Sequence, residues 1–398
     1  MLVRVRNCKF RLYPTRLQEQ RLTSTWDGCR WVYNYFVKYG TSLTEYDMNY
    51  AITELKEQEP WLRNYHSKML QMVAKQMAAA TKGLQMLRKN GHKVGRLHYL
   101  MHEECNSFIY NQSGFKIKRG GKTDLLWLSK IGCIQIRLHR PIGDIKQVTV
   151  VRKAGKWHAI VNCDLAAPIF RFISLAKSVG IDLGVTKFVH DSDNHSIDNP
   201  LVLNKMLKPL RRTNRRLSRK QENSKNQEKA KTRLQLLHER IRNQRLDFLH
   251  KTSTYYSNRY DAIFLEKLRI ANMVKNHNLA RSIIDSGWST FKNMLAYKTK
   301  LVIEVPPNNT SIDCSRCGNR VSKSLAVRTH RCDECGLVIN RDYNASLNIK
   351  QKGLRQLKLQ LLMGYEEVTP VEILGESVKQ EETTRIDQVV VHTVDAKK

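Results

Sequence analysis

Apolar and polar residues alternate along some stretches of this chain and recur every three or four positions along others, which separates strands from helices by period. At the N-terminus VRNCKFRLYP reads as a strand that Pro14 ends. TRLQEQRLTSTWDGCRWVYNYFVKYG follows, with Leu17, Leu22, Trp26, Trp31, Tyr33 and Phe36 at mostly helical spacing and Gly40 as a stop. Two more helical stretches fall within 52–90, the second being SKMLQMVAKQMAAATKGLQMLRK. Strands return over 107–168, where IQIRLHRPI, KQVTVVRKA and KWHAIVNCDL alternate and are separated by Pro, Gly-Asp and Ala-Gly turns. The pattern predicts a small antiparallel barrel or sheet, closed by the N-terminal strand and interrupted by a helical insert.

The second half changes period again. KSVGIDLGVTKFVH, at 177–190, reads as strand, Gly turn, strand. Residues 204–253 predict two long helices joined around 222–228, with Leu210, Leu217, Leu234, Leu237 and Leu249 on their apolar side. YDAIFLEKL at 260–268 and KLVIEVPP at 300–307 read as short buried strands, 279–300 as helix, and 342–361 as a final helix. Beyond 365 the balance turns acidic, and 366–398 is expected to be disordered.

Charge narrows the function. Sixty-nine Lys and Arg stand against thirty-six Asp and Glu in 398 residues, a formal net charge of +33. Such self-repulsion calls for a polyanionic partner, and nucleic acid supplies one through counterion release. No apolar run is long enough to span a bilayer, MLVRVRNCKFRLYP carries charges where a signal peptide needs an apolar stretch, and no basic amphipathic terminus suits a membrane surface. The protein is expected to stay where it is made. Arg211, Arg212, Arg215, Arg216 and Arg219 form the densest basic block and are candidate phosphate contacts.

Five of nine cysteines, Cys8, Cys29, Cys105, Cys133 and Cys163, are scattered in apolar or mixed contexts, as reduced core thiols would be. The other four form two Cys-x2-Cys pairs, Cys314/Cys317 and Cys332/Cys335, with fourteen residues between them. This spacing fits a closed, tetrahedral, structural zinc site with four thiolate ligands. Its loop is rich in cations, Arg328 and Arg331 among them, which suit a nucleic-acid strand.

Three carboxylates far apart in sequence complete the picture. Asp182 sits mid-strand in VGIDLG, Glu266 ends the apolar run AIFL, and Asp342 opens the last helix seven residues after Cys335. Each alone has an ordinary explanation. Together, two strand acids and one helix acid can converge on a pair of Mg²⁺ ions, the hard-oxygen chemistry that phosphodiester hydrolysis needs.

Several stretches then resemble one family. VGIDLGVTKF, NQRLDFLHK, LEKLRIANMVKN, LARSIIDSGWSTF, VPPNNTSIDCSRCG, LAVRTHRCDECG and RDYNASLNI, in this order, are similar to TnpB, the transposon-encoded RNA-guided DNA endonuclease related to compact type V CRISPR effectors. The resemblance implies an α/β multidomain chain. An RNase H-like (RuvC) nuclease would span 177–307 and 339–361, with a zinc-ribbon insert at 308–338 that helps load target DNA. A wedge-like β-barrel would span 1–40 and 107–168, with a helical recognition lobe at 41–106.

It assigns Asp182, Glu266 and Asp342 to the catalytic acids holding two Mg²⁺, and the four clustered cysteines to one structural Zn²⁺. It suggests Gln71 and Lys75 as contacts to a short target-adjacent motif. Implied partners are a guide RNA from the transposon end and double-stranded target DNA, in the cytoplasm and nucleoid of a prokaryotic host. The sequence departs from the family's pattern where Asn340 replaces the first Asp of the usual Asp-Arg-Asp, where Ile312 stands in place of a favoured Gln two residues before Cys314, and where Ser346 replaces a usual Ala. A nuclease-silent RNA-guided repressor and an accessory transposition protein remain alternatives, and the oligomeric state stays open.

Overall fold

The computed structural model describes residues 3–39, 43–101, 107–121, 123–166, 173–324 and 327–362. Cys105 and the expected disordered tail lie outside them. The chain divides into two compact units, Met1–Ile169 and Phe170–Lys398.

In the first unit β1 (Val3–Tyr13) leads to α1 (Arg16–Tyr39), α2 (Glu45–Gln58), a 3-10 turn and α3 (Ser67–Lys89). Six strands follow: β2 (Ser107–Asn111), β3 (Phe115–Lys118), β4 (Asp124–Leu128), β5 (Gly132–Arg137), β6 (Asp144–Lys153) and β7 (Lys156–Ala166). They form one antiparallel sheet in the order β2-β6-β7-β1-β5-β4-β3. The N-terminal strand therefore lies mid-sheet, bonded to β7 on one side and β5 on the other. Sequence reading expected it to close the sheet. Strand period cannot distinguish these places, because both bury the same alternate residues.

Phe10 and Leu12 of β1, Val148 and Val150 of β6, and Leu22 and Phe36 of α1 share one core. Trp26 stacks on Trp157 at 4.5 Å, pinning α1 to the sheet. Cys8, Cys29 and Cys163 are buried free thiols, and Cys133 is half-buried.

The second unit begins with β8 (Ser178–Leu183), β9 (Lys187–Asp191) and β10 (Ser196–Asp198). A helical pair, α4 (Val202–Ser218) and α5 (Lys225–Arg259), precedes β11 (Ala262–Glu266). Next come α6 (Ile270–Met273), α7 (His277–Ser286), α8 (Trp288–Lys298) and β12 (Leu301–Val305). A hairpin of β13 (Thr329–Arg331) and β14 (Val338–Asn340) runs into α9 (Arg341–Leu362).

The expected single helix at 279–300 is two helices. Gly287 between them adopts φ +68°, which ends α7 in a left-handed turn. Glycine takes this angle without the strain that a Cβ would bring.

The main sheet has the order β10-β9-β8-β11-β12, with β11 parallel to β8 and β12, and β9 antiparallel to β8. Its inner strands are apolar on both faces, as a sheet covered on both sides requires. Ile263 and Leu265 pack with Leu249, Tyr256 and Phe291 of α5 and α8. Phe264, Ile303 and Val305 pack with Ile349 and Leu357 of α9. Gly180 is what lets α9 lie flat on β8: a Cβ there would stand 2.2 Å from the Ser346 carbonyl oxygen.

Candidate active site

Side chains alternate across a strand, so Asp182 shares the face of Gly180, toward α9. By the same rule Glu266 shares the face of Ala262 and Phe264. In the parallel register Leu265 pairs with Ile181, and one step further along both strands stand Glu266 and Asp182. Asp342 lies in the first turn of α9. Two strand ends and one helix start thus bring the three carboxylates to one end of the sheet.

Their mutual field is visible in Asp182. Burial, then the charges of Glu266 and Asp342, push its carboxyl up to about 8, against the pull of Arg341 and the Leu183 amide. Burial also raises Glu266, while a hydrogen bond from Thr310 and the charge of Lys352 hold it back. Thr310 Oγ1 donates to Glu266 Oε1 at 2.7 Å. Asp342 accepts from Arg341 at 3.3 Å and from Arg328 at 3.5 Å. A trio of acids, one forced toward neutrality by burial and the other two, has the hard-oxygen donor set that Mg²⁺ takes.

Asn340 has a structural role. Its side-chain oxygen accepts from the amides of Asp342 at 2.8 Å and Tyr343 at 3.2 Å, which caps α9. It is also the last residue of β14, paired with Thr329. The hairpin therefore delivers the helix start, and Asp342 with it.

The four cysteine sulfurs lie within 4.8 Å of one another, the one such ligand group among the described residues. Cys314 and Cys335 approach to 3.5 Å, and Cys317 and Cys332 to 3.6 Å. Tetrahedral Zn–S bonds of about 2.3 Å put sulfurs about 3.8 Å apart, so the set fits zinc. The backbone amide at Cys335 helps lower the Cys332 thiol, whereas burial pushes the Cys335 thiol up. The three carboxylates do not gather within that 4.8 Å limit.

Buried amides that sequence reading missed tie this clasp to α9. Asn344 donates to the Asp313 carbonyl at 2.8 Å and accepts from the Ser315 amide at 2.9 Å, gripping the chain on both sides of Cys314. Asn348 donates to the carbonyls of Thr310 at 2.8 Å and Asp313 at 2.7 Å. The available signal was two Asn one turn apart, inside the otherwise apolar face of NASLNI.

The other expected site residues divide. Arg211, Arg212, Arg215, Arg216 and Arg219 are exposed and, with Lys208, line one surface concavity of about 430 Å³ along α4. Arg331 is exposed on β13, whereas Arg328 turns its guanidinium to Asp342. Gln71 and Lys75 sit one turn apart on the exposed side of α3, in the first unit.

Comparison with known proteins places this arrangement. The chain is 30% identical over 383 residues to “Putative RNA-guided DNA endonuclease InsQ” of Escherichia coli (strain K12), covering 88% of this chain and 92% of that one. It is 31% identical to a “Putative RNA-guided DNA endonuclease” of Streptomyces pristinaespiralis, over 87% of this chain and 89% of the other. A 132-residue stretch is 35% identical to “TnpB-like protein MJ1635” of Methanocaldococcus jannaschii, covering 33% and 31% of the two chains.

The chain belongs to the TnpB family. Family models described as “Probable transposase” and “Cas12f1-like, TNB domain” match residues 175–277 and 288–349. A third, “Helix-turn-helix domain”, matches 1–43, where the described residues form β1 and the single helix α1. In fold this TnpB relative is similar to the protein of a Cas12f1-sgRNA-target DNA complex, with TM-score 0.50 and 14% identity over 87% of this chain and 99% of that one. It is also similar to the mini-RNA-guided endonuclease CRISPR-Cas_phi3, with TM-score 0.51 and 11% identity over 88% and 92%. Among the described residues no helix is long and apolar enough to cross a membrane.

Proposed function

We propose that this protein is an RNA-guided DNA endonuclease that hydrolyses phosphodiester bonds with Asp182, Glu266 and Asp342. The observation that carries the reading is the convergence of these acids, which with burial forces Asp182 up to about 8. The strand order, with its one antiparallel inner neighbour, supports an RNase H-like core, and the fit of the four cysteines supports a zinc ribbon between Glu266 and Asp342. The seven-stranded sheet and its helices would be the wedge and recognition lobe.

Asp182, Glu266 and Asp342 would hold two Mg²⁺ ions, which when bound activate the attacking water and stabilise the leaving oxygen. Thr310 orients Glu266. Arg341 and Arg328 balance the acid charge at Asp342 and would release it when a cation binds. The α4 arginines would grip phosphates, while base pairing with the guide carries sequence specificity. Gln71 and Lys75 would contact the target-adjacent motif.

The test is to express the protein with its native downstream DNA and sequence the RNA that copurifies. The complex should cut DNA matching the RNA's variable end when Mg²⁺ is supplied, and Asp182→Ala should not. Random cellular RNA, or equal cutting by the variant, would sink the reading.

A further inference from the structure

The first zinc knuckle and the middle of α9 enclose a second concavity, of about 330 Å³. Its two side-chain amide nitrogens are already engaged. Asn348 holds the carbonyls of Thr310 and Asp313, and Gln351 donates to the Ser315 carbonyl at 3.0 Å. Three cations line the rest: Arg316 from the knuckle, with Lys352 and Arg355 from α9. Asp313 is the one acid in the lining.

None of the three cations forms a salt bridge among the described residues. Arg316 donates to the Cys335 carbonyl at 3.4 Å, and the Lys352 ammonium donates to the Asn308 carbonyl. Neutral acceptors orient these charges without cancelling them. Arg355 is exposed and makes no hydrogen bond among the described residues. Asn348, Lys352 and Arg355 follow one another at helical i, i+4, i+7 spacing, so they form one stripe facing the knuckle. Lys352 also reaches Glu266 electrostatically, which puts the concavity beside the acids.

Two guanidiniums and an ammonium that no salt bridge pairs among the described residues, set among polar walls, suit a phosphodiester, which guanidinium forks bind bidentately. We propose that Arg316, Lys352 and Arg355 form a phosphate subsite that holds the backbone of a single nucleic-acid strand next to the acid cluster. This rests on the nuclease reading and adds to it a fixed anchor for the strand. An anchor matters because a misplacement of about 1 Å at a reacting phosphate can cost 100-fold in rate. The zinc then has a second role, because Arg316 lies between the ligands Cys314 and Cys317 and its direction depends on the clasp.

The DNA strand to be cut and the guide RNA share this chemistry, and two probes separate them. Full-length wild type, Arg355→Gln, the double variant Arg316→Gln/Arg355→Gln and a charge control, Lys153→Gln on β6, are titrated with fluorescein-labelled eight-nucleotide DNA and RNA strands. The titrations use several salt concentrations without Mg²⁺. Zinc content and circular dichroism establish that each variant is folded.

Each lost phosphate contact should reduce the slope of log K against log salt by about 0.7 for a single strand. Arg355→Gln should lose one such step relative to the control and the double variant two, with DNA or RNA according to which strand the subsite takes. Folded variants whose slopes equal the control's with both probes would overturn the subsite. Wild-type cleavage is assayed separately, so a chain that cuts normally but shows no slope change loses only this inference.

Discussion

Asp182 carries a cost that depends on pH. Its carboxyl sits near 8 in the folded chain, far above the ordinary value of 3.8, so the folded state binds the extra proton between those limits. Where the folded state holds more protons than the unfolded one, stability falls as pH rises. The metal-free protein should therefore lose stability progressively from about pH 4 through pH 8 on account of this group. Asp182→Asn keeps the shape and removes the charge. In Mg²⁺-free buffer the variant should melt above wild type at pH 8, with the gap shrinking toward pH 5, and added Mg²⁺ should raise only the wild-type melting temperature. Scanning fluorimetry reads both, and a gap that is constant with pH would contradict the assignment of the burden to Asp182. Asn340 is a second such case. As the cap of α9 it needs a side-chain oxygen and not a charge, so Asn340→Asp should be nearly neutral in stability. Asn340→Ala should cost about 1 kcal/mol in a urea melt and lower cleavage by displacing Asp342.

Among elements, what the sequence makes legible follows from period and spacing. The apolar run AIFL announced a short buried strand, KSVGIDLGVTKFVH two strands about a Gly turn, and the paired cysteines a clasp, because each signal is local. Three features were not legible for the same reason in reverse. The mid-sheet place of β1 is decided by partners more than a hundred residues away, β7 and β5. The break at Gly287 rests on a left-handed backbone angle, which a glycine permits but does not impose. The clamp of Asn344 and Asn348 depends on α9 lying against residues 310–315, a contact no periodicity encodes. The clamp and the packing beneath it predict two outcomes. Asn348→Ala leaves the Thr310 and Asp313 carbonyls without this donor in a buried setting, which should cost roughly 1–3 kcal/mol in a denaturant melt. Gly180→Ala forces a Cβ against the α9 backbone at Ser346 and Lys350, which cannot yield as a side-chain tip could. That variant should lose at least about 1–3 kcal/mol, and an unchanged melt would show that α9 does not lie on β8 as described.

For the whole molecule the net charge of +33 announced a polyanion partner and the sequence located its densest block, while the structure gathers the charge into surfaces. One is the row of arginines on α4, another the cations around the first knuckle. The cysteine clasp connects the second of these to the acids by a continuous set of bonds. Cys314 is flanked by Asp313 and Ser315, both gripped by Asn344, which lies two residues from Asp342. Asn348 holds Thr310, whose hydroxyl orients Glu266. Zinc should therefore govern two of the three acids without touching substrate. Stripping zinc with a chelator, removing the chelator and restoring Mg²⁺ alone should leave cleavage depressed, and Zn²⁺ added back should recover it. The same treatment should weaken Mg²⁺ binding, read by Mg²⁺-dependent shifts in melting temperature, because ligands set loose must be ordered again before they can hold the ions. If Mg²⁺ alone restored full cutting to zinc-free protein, the clasp would be a neighbour of the acids and not their support.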